Sequence, residues 1–224
     1  MLIAGLDEAG RGPVIGSLVI GCVIFNEEDL HILDEIGVDD SKKISSKKRE
    51  ILAKKIKTHA VSYDLLEVTA ENINALHKKG LSLNEIEEIS FAKLINGIEP
   101  QPDKIYLDAA DVIEERFGKT IGGMLRFKPK KIISKHRGDA IFKIVGAASI
   151  LAKTKRDHII EEYKKKYGNI GSGYPSDPYT KKFLKSYYYS HQKFPPIVRT
   201  WWKTAENIVK EYELQKKQRK LTDF

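Results

Sequence analysis

Cysteine is nearly missing from this chain. Cys22 is the single one in 224 residues, which excludes a disulfide scaffold and any cysteine-based zinc site. No apolar run approaches the roughly 18 residues of a membrane-spanning helix. The opening stretch, MLIAGLDEAG, lacks a basic segment leading into an apolar one, so no secretory signal is expected. There are no internal repeats and no low-complexity tracts beyond scattered Lys pairs. The expectation is a cytoplasmic protein that does not engage a membrane. Charge, by contrast, is plentiful. Asp, Glu, Lys and Arg make up 31% of the chain, against about 25% in an average protein. The 41% of hydrophobic residues suffices for a sizeable core at this length. Lys and Arg exceed Asp and Glu by 39 to 31, a formal charge of +8. A positive surface suits a polyanion such as nucleic acid. A Lys-rich surface also serves solubility and heat resistance, so charge alone does not decide.

Residues 2–6 form a short apolar run ending at Asp7, and residues 17–25 (SLVIGCVIF) are rich in β-branched types. Both read as strands, separated by the Gly- and Pro-containing turn EAGRGPVIG. Residues 61–68 read as a third strand, which predicts an antiparallel meander. Helical spacing follows over residues 41–57, 83–95 and 113–125, with short strands at 104–107 and 131–134. Residues 139–167 predict a long helix broken near its start, and residues 197–217 a terminal helix. A meander followed by helix–strand alternation predicts an α/β fold with helices packed on a mixed sheet. From Gly168 onward the chain is rich in Gly, Pro and Tyr. The expected organisation is a catalytic unit over residues 1–177, a small helical appendage over 178–215 and a basic tail over 216–224.

Two strand-like runs end in an acid: Asp7, followed by Glu8, and Asp108. Strand ends are where open α/β sheets build their sites. Asp139, at the start of a predicted helix, serves equally well as an N-cap. Spacing does not separate Asp108 from Asp111. Carboxylates within ~4 Å repel by roughly 4 kcal/mol per pair at an effective dielectric of 20, so packing them together calls for a cation. Oxygen ligands without a Cys or His cluster point to Mg²⁺ or Mn²⁺. Two such ions ~3.5–4 Å apart form a clamp suited to phosphodiester cleavage. Adjacent residues of a regular strand face opposite sides, so Glu8 joins Asp7 only if the strand ends or twists there.

LDEAGRGPVIG, residues 6–16, closely resembles the signature of ribonuclease HII, the type 2 ribonuclease H family. DDSKK (39–43), YLDAADV (106–112), KHRGD (135–139), AASILAK (147–153), GSGYPSD (171–177) and FPPIVR (194–199) agree in order. YLDAADV and ERFG fit the archaeal branch. The resemblance runs from residue 1 to about residue 210. It implies an RNase H-like fold: a mixed five-stranded sheet flanked by helices, with a small C-terminal helical appendage. It implies an endonuclease that hydrolyses the RNA strand of RNA–DNA hybrids and single ribonucleotides embedded in duplex DNA, with a role in DNA replication and repair. Cleavage by two metal ions, Mg²⁺ or Mn²⁺, would leave 3′-hydroxyl and 5′-phosphate ends. The metal-binding, catalytic acids carry over to Asp7, Glu8, Asp108 and Asp139. Gly10, Arg11 and Gly12 match the segment that reads the ribose 2′-hydroxyl, the group separating RNA from DNA. Tyr174 matches a tyrosine that stacks on the neighbouring sugar. Lys42 and Lys43 match substrate contacts; read as bare residues they are equally a solvated helix start. Lys153 and Arg156 face either substrate or solvent, and His136 reads as a strand-end residue.

The chain closes with QRKLTDF. Gln218, Leu221 and Phe224 are spaced Q-x-x-L-x-x-F, which resembles the motif that docks replication proteins onto the sliding clamp. Leu221 and Phe224 would share one side of a helical turn. The expected protein is a monomer acting on hybrid and ribonucleotide-containing duplexes. Its rivals are another metal-dependent nuclease that ignores the 2′-hydroxyl and a non-catalytic basic binding module.

Overall fold

The computed structural model describes residues 1–38 and 44–222, the last four of these as backbone. Among the described residues, five strands form one sheet: β1 (Leu2–Ala9), β2 (Leu18–Asn26), β3 (Ser62–Val68), β4 (Lys104–Asp108) and β5 (Lys131–Lys135), in the order β3-β2-β1-β4-β5. β1, β2 and β3 pair antiparallel, as the meander requires. β4 runs parallel to β1, with Leu6 beside Leu107, and β5 parallel to β4. The sheet is therefore mixed. Its two central parallel strands place Asp7 and Asp108 at neighbouring ends, one strand spacing of ~4.8 Å apart.

The helices are α1 (His31–Glu35), α2 (Ser46–His59), α3 (Ala70–Lys78), α4 (Leu83–Gly97), α5 (Glu114–Gly123), α6 (Gly138–Ile141), α7 (Lys143–Tyr167), α8 (Pro178–His191) and α9 (Lys203–Thr222). Several start where a side chain takes up an orphan amide. Ser45 accepts from Lys48 N, Thr69 from Asn72 N, and Asp177 from Tyr179 N. Ser82 and Glu85 form a reciprocal capping box at α4. α7 ends at Gly168, with Lys164, Lys165 and Lys166 set against the negative end of its dipole. Among the described residues no helix is long and apolar enough to cross a membrane.

Alternation along β1 splits the core. Ala4 and Leu6 pack with Phe91 and Ile95 of α4 and Phe117 of α5. Ile3 faces the other way, with Leu52 and Ile56 of α2 and Val145 and Ala148 of α7. On this second face α7 lies directly on the backbone. A Cβ at Gly5 would stand 2.3 Å from Ile144 O, and one at Gly21 2.7 Å from Ala148 O. The two glycines seat α7 across β1 and β2, and its next turns then lie over the end of β1.

A third cluster joins Val14 and Ile15 to Ile160, Leu184, Ile197, Val198, Ala205 and Ile208. Residues 197–202 are not helical, contrary to the expected terminal helix, which begins at Lys203. They are held against the loop after β1: Gly16 N donates to Ile197 O at 2.8 Å and Arg199 N to Val14 O at 2.9 Å. Pairing with another segment outweighs helical periodicity there. The expected break in the long helix falls at Phe142, whose backbone is extended between α6 and α7. The helix expected from residue 41 begins at Ser46; residues 39–43, with Lys42 and Lys43, lie outside the described residues.

Candidate active site

The end of β1 opens into a cleft of about 470 Å³ lined by Asp7, Glu8, Gly10, Arg11, Gly12, Asp108, Asp139 and Tyr174, with Arg49, Lys153, Arg156 and Asp157. Asp7 shares the face of Gly5 and looks toward α7. Glu8 shares the face of Leu6 and looks toward α4. The strand does not stop at Glu8: the pairing continues through Ala9, opposite Val19. Both carboxylates reach the cleft because it wraps around the exit of the strand.

Each remaining acid is placed by a local device. Asp108 ends β4 and accepts Gly138 N at 2.8 Å. A Cβ at Gly138 would meet Leu107 O at 3.0 Å, so a larger residue would push this turn away from β4. Asp139, next along α6, is buried, with Oδ2 3.7 Å from Lys153 Nζ. It does not act as the cap of α6, whose flanking residue is Arg137 in the left-handed region. Asp111 is turned to Arg116, which grips it with two guanidinium nitrogens. His136 Nε2 lies 2.7 Å from Asp111 O.

The electrostatics of the cleft are those of crowded acids. Burial, then the charges of Glu8 and Asp108, raises Asp7 well above the usual carboxylate range, against a Ser149 hydrogen bond and the Lys153 charge. Burial, then Glu87 and Asp108, pushes Glu8 up to about 8. Glu8 Oε2 is buried without a hydrogen-bond partner. Among the described residues, no three His, Cys, Asp or Glu side chains stand as a finished metal cage. The acids turn instead to protein groups: Asp7 Oδ1 accepts Glu8 N at 2.7 Å, Asp108 accepts Gly138 N, and Asp139 leans toward Lys153. The donor set is all oxygen, and Glu8 Oε2 is left without a hydrogen-bond partner although the Arg11 charge partly offsets its burial. The set fits a hard divalent cation.

The opposite wall is backbone. Gly10 has φ +84, and a Cβ there would stand 2.5 Å from Ser17 O, so the bend after β1 needs glycine. Gly12 adjoins Tyr174, whose Cε1 lies 3.7 Å from the position of a Cβ at residue 12. Tyr174 is 41% exposed and lies under Arg156, 5.3 Å from guanidinium carbon to ring centre. Gly173 O accepts both Val14 N and Ile15 N, which stitches the tyrosine loop to the glycine loop. Tyr188 and Tyr189 pack against Tyr212 of α9, and Tyr187 stacks on His191.

Sequence reasoning missed several residues here. Arg49 bridges α2 to Asp157 of α7 at 2.7 Å; in a Lys- and Arg-rich helix it reads as solvated. Glu87 and Arg199 are fully buried in segments whose charge points to the surface. Of the tail residues, Gln218 is exposed on α9 and Leu221 belongs to the same helix, while Phe224 lies outside the described residues.

The model of one family, described as ribonuclease HII, matches residues 4–205. The ribonuclease HII of Thermococcus sibiricus is 48% identical over 224 residues, covering 100% of this chain and 98% of its own. The crystal structure of ribonuclease H2 from Pyrococcus horikoshii OT3 superposes with a TM-score of 0.90 at 45% identity, over 95% of this chain and 99% of that one. An RNase HII from Archaeoglobus fulgidus, solved as a complex with PCNA, gives 0.81 at 37% identity, over 92% and 96%.

Proposed function

Since this chain belongs to the ribonuclease HII family and is a ribonuclease H acting on RNA–DNA hybrids, we infer that Asp7, Glu8, Asp108 and Asp139 are its catalytic, metal-binding residues. We also infer that it cuts single ribonucleotides embedded in duplex DNA. What supports this is one juxtaposition: four acids, the Gly10–Arg11–Gly12 backbone and Tyr174 line the same cleft. Two Mg²⁺ or Mn²⁺ ions held by the carboxylates would supply an activated water and stabilise the leaving 3′-oxygen, giving 3′-hydroxyl and 5′-phosphate ends.

The chain's own groups do the rest. Glycine at positions 10 and 12 lets backbone come within hydrogen-bond reach of a ribose, so a 2′-hydroxyl is recognised by position. Tyr174 offers an exposed ring for the adjoining sugar. Arg156 and Lys153 bring positive charge to the phosphate side. Lys42 and Lys43 belong to the same reading as phosphate contacts. Gln218, Leu221 and Phe224 dock on a replication sliding clamp; the relative solved with PCNA supports that assignment.

The test sets three duplexes of one sequence side by side in Mg²⁺ and in Mn²⁺: all-DNA, RNA–DNA hybrid, and DNA with one ribonucleotide. Cleavage of the last two on the 5′ side of a ribonucleotide, with the first intact, is expected. Cutting of the all-DNA duplex at a similar rate would favour a nuclease blind to the 2′-hydroxyl.

A further inference from the structure

The loop after β1 is held from behind by a residue 187 positions downstream of Gly12. Arg199 is fully buried, and its guanidinium donates to three carbonyls: Nε to Gly16 O at 3.0 Å, Nη1 to Arg11 O at 2.7 Å, and Nη2 to Gly10 O. Trp202 Nε1 donates to Gly12 O at 3.1 Å, and its ring lies 4.9 Å from the Arg199 guanidinium carbon. Three consecutive carbonyls, of residues 10, 11 and 12, therefore point at one short C-terminal segment. In a trans peptide the N–H points opposite to the carbonyl it follows. Turning the carbonyls of Gly10 and Arg11 toward Arg199 turns the amides of Arg11 and Gly12 the other way. The Gly12 carbonyl is followed by Pro13, which has no amide to aim.

The remaining contacts keep this arrangement in place. Arg11's own side chain is drawn aside by Glu87, at 2.9 Å, and by Asn84, at 2.5 Å, both on α4. Glu87 is buried and faces Arg199 as well as Arg11 electrostatically, so the two guanidinium groups share one countercharge. The segment carrying Arg199 is pinned in turn by Asn74 of α3, which donates to Val198 O at 2.9 Å and accepts Thr200 N at 3.0 Å.

We propose that Arg199, assisted by Trp202, is a specificity-positioning residue: by capturing the Gly10, Arg11 and Gly12 carbonyls it fixes the backbone face that distinguishes a ribonucleotide from a deoxyribonucleotide. The proposal rests on the reading of that loop as the 2′-hydroxyl sensor. Arg199 itself touches neither substrate nor metal.

The test measures the dissociation constants of two short duplexes, identical except for one ribonucleotide, in the absence of divalent metal. The full-length protein is compared with Arg199→Lys and Trp202→Phe. Lysine keeps the charge but cannot span three carbonyls. Phenylalanine keeps a ring and removes one donor. Losing one or two positioned hydrogen bonds should cut the preference for the ribonucleotide duplex on the order of tenfold in Arg199→Lys, and a few-fold in Trp202→Phe. All-DNA affinity should move less than twofold in both. A merely structural staple would weaken both duplexes alike and leave their ratio unchanged, and that result overturns the proposal. Should Arg199→Lys not fold, the ratio in Trp202→Phe decides. A wild-type ratio near one would instead sink the loop assignment, and the proposal with it, whereas a wild-type preference that survives in the variants sinks the proposal alone.

Discussion

Asp7 is buried between the charges of Glu8 and Asp108, and a folded protein tolerates such a cluster only where an occupant of opposite charge is due. Asp7→Asn should therefore lower hybrid cleavage in Mg²⁺ on the order of a thousandfold or more. The same change relieves repulsion in metal-free protein, by ~1 kcal/mol, which raises the melting temperature by about 3 °C at this size. Paired activity assays and thermal melts check both signs; near-normal turnover would remove Asp7 from the site. At this scale the sequence was informative where chemistry coincides with an unusual place for a charge. Asp7 and Asp108 each end an apolar run, and that is visible without coordinates. Spacing left Asp108 and Asp111 equal, because only packing reveals that Asp111 is committed to Arg116. Glu87 left no trace, and Arg199 stood only at the end of the FPPIVR block with no role attached: a charged residue reads as exposed unless its countercharge is known, and theirs lie more than 70 positions away in sequence.

The elements around the site were legible in proportion to how local their signals are. The first two antiparallel strands follow from an apolar run and β-branched content, and α4 from its helical spacing. α3 (Ala70–Lys78) escaped because AENINALHK is short and buries only Ala70 and Ile73. The start of α9 was placed too early because residues 197–202 owe their conformation to Val14, Gly16 and Asn74 rather than to their own propensity. α8 offers an element-scale test. Asp177 caps it and also accepts Ser172 N at 2.5 Å, so one carboxylate ties the helix to the loop bearing Tyr174. These amides, Ser172's first, hold Asp177 down from 3.8 to about 2. A depressed acid stabilises the fold above its unfolded value, and that contribution is lost as pH falls through the folded one. The margin of the wild type over Asp177→Asn in thermal melts should thus be full above pH about 4 and gone by pH about 2. A margin constant across that window would show that the carboxylate charge contributes nothing.

For the whole molecule, the sheet order places the two acid-bearing strands side by side, while the C-terminal segment reaches back to the glycine loop. Removing residues 218–224 should abolish binding to a sliding clamp in a pull-down and leave kcat/KM on short duplexes within twofold. Clamp binding that survives the truncation would assign the contact to another surface. The closure of the glycine loop by residues 197–202 also bears on biosynthesis. A nascent chain holds all four acids of the site read here once residue 139 has emerged, yet the clasp on the loop is made some 60 residues later, so a product cut short between the two carries the acids without the clasp. Contacts of such long sequence separation form late and slowly. On the proposal above, such a fragment would lack the hold that turns the loop amides of residues 11 and 12 toward a ribose.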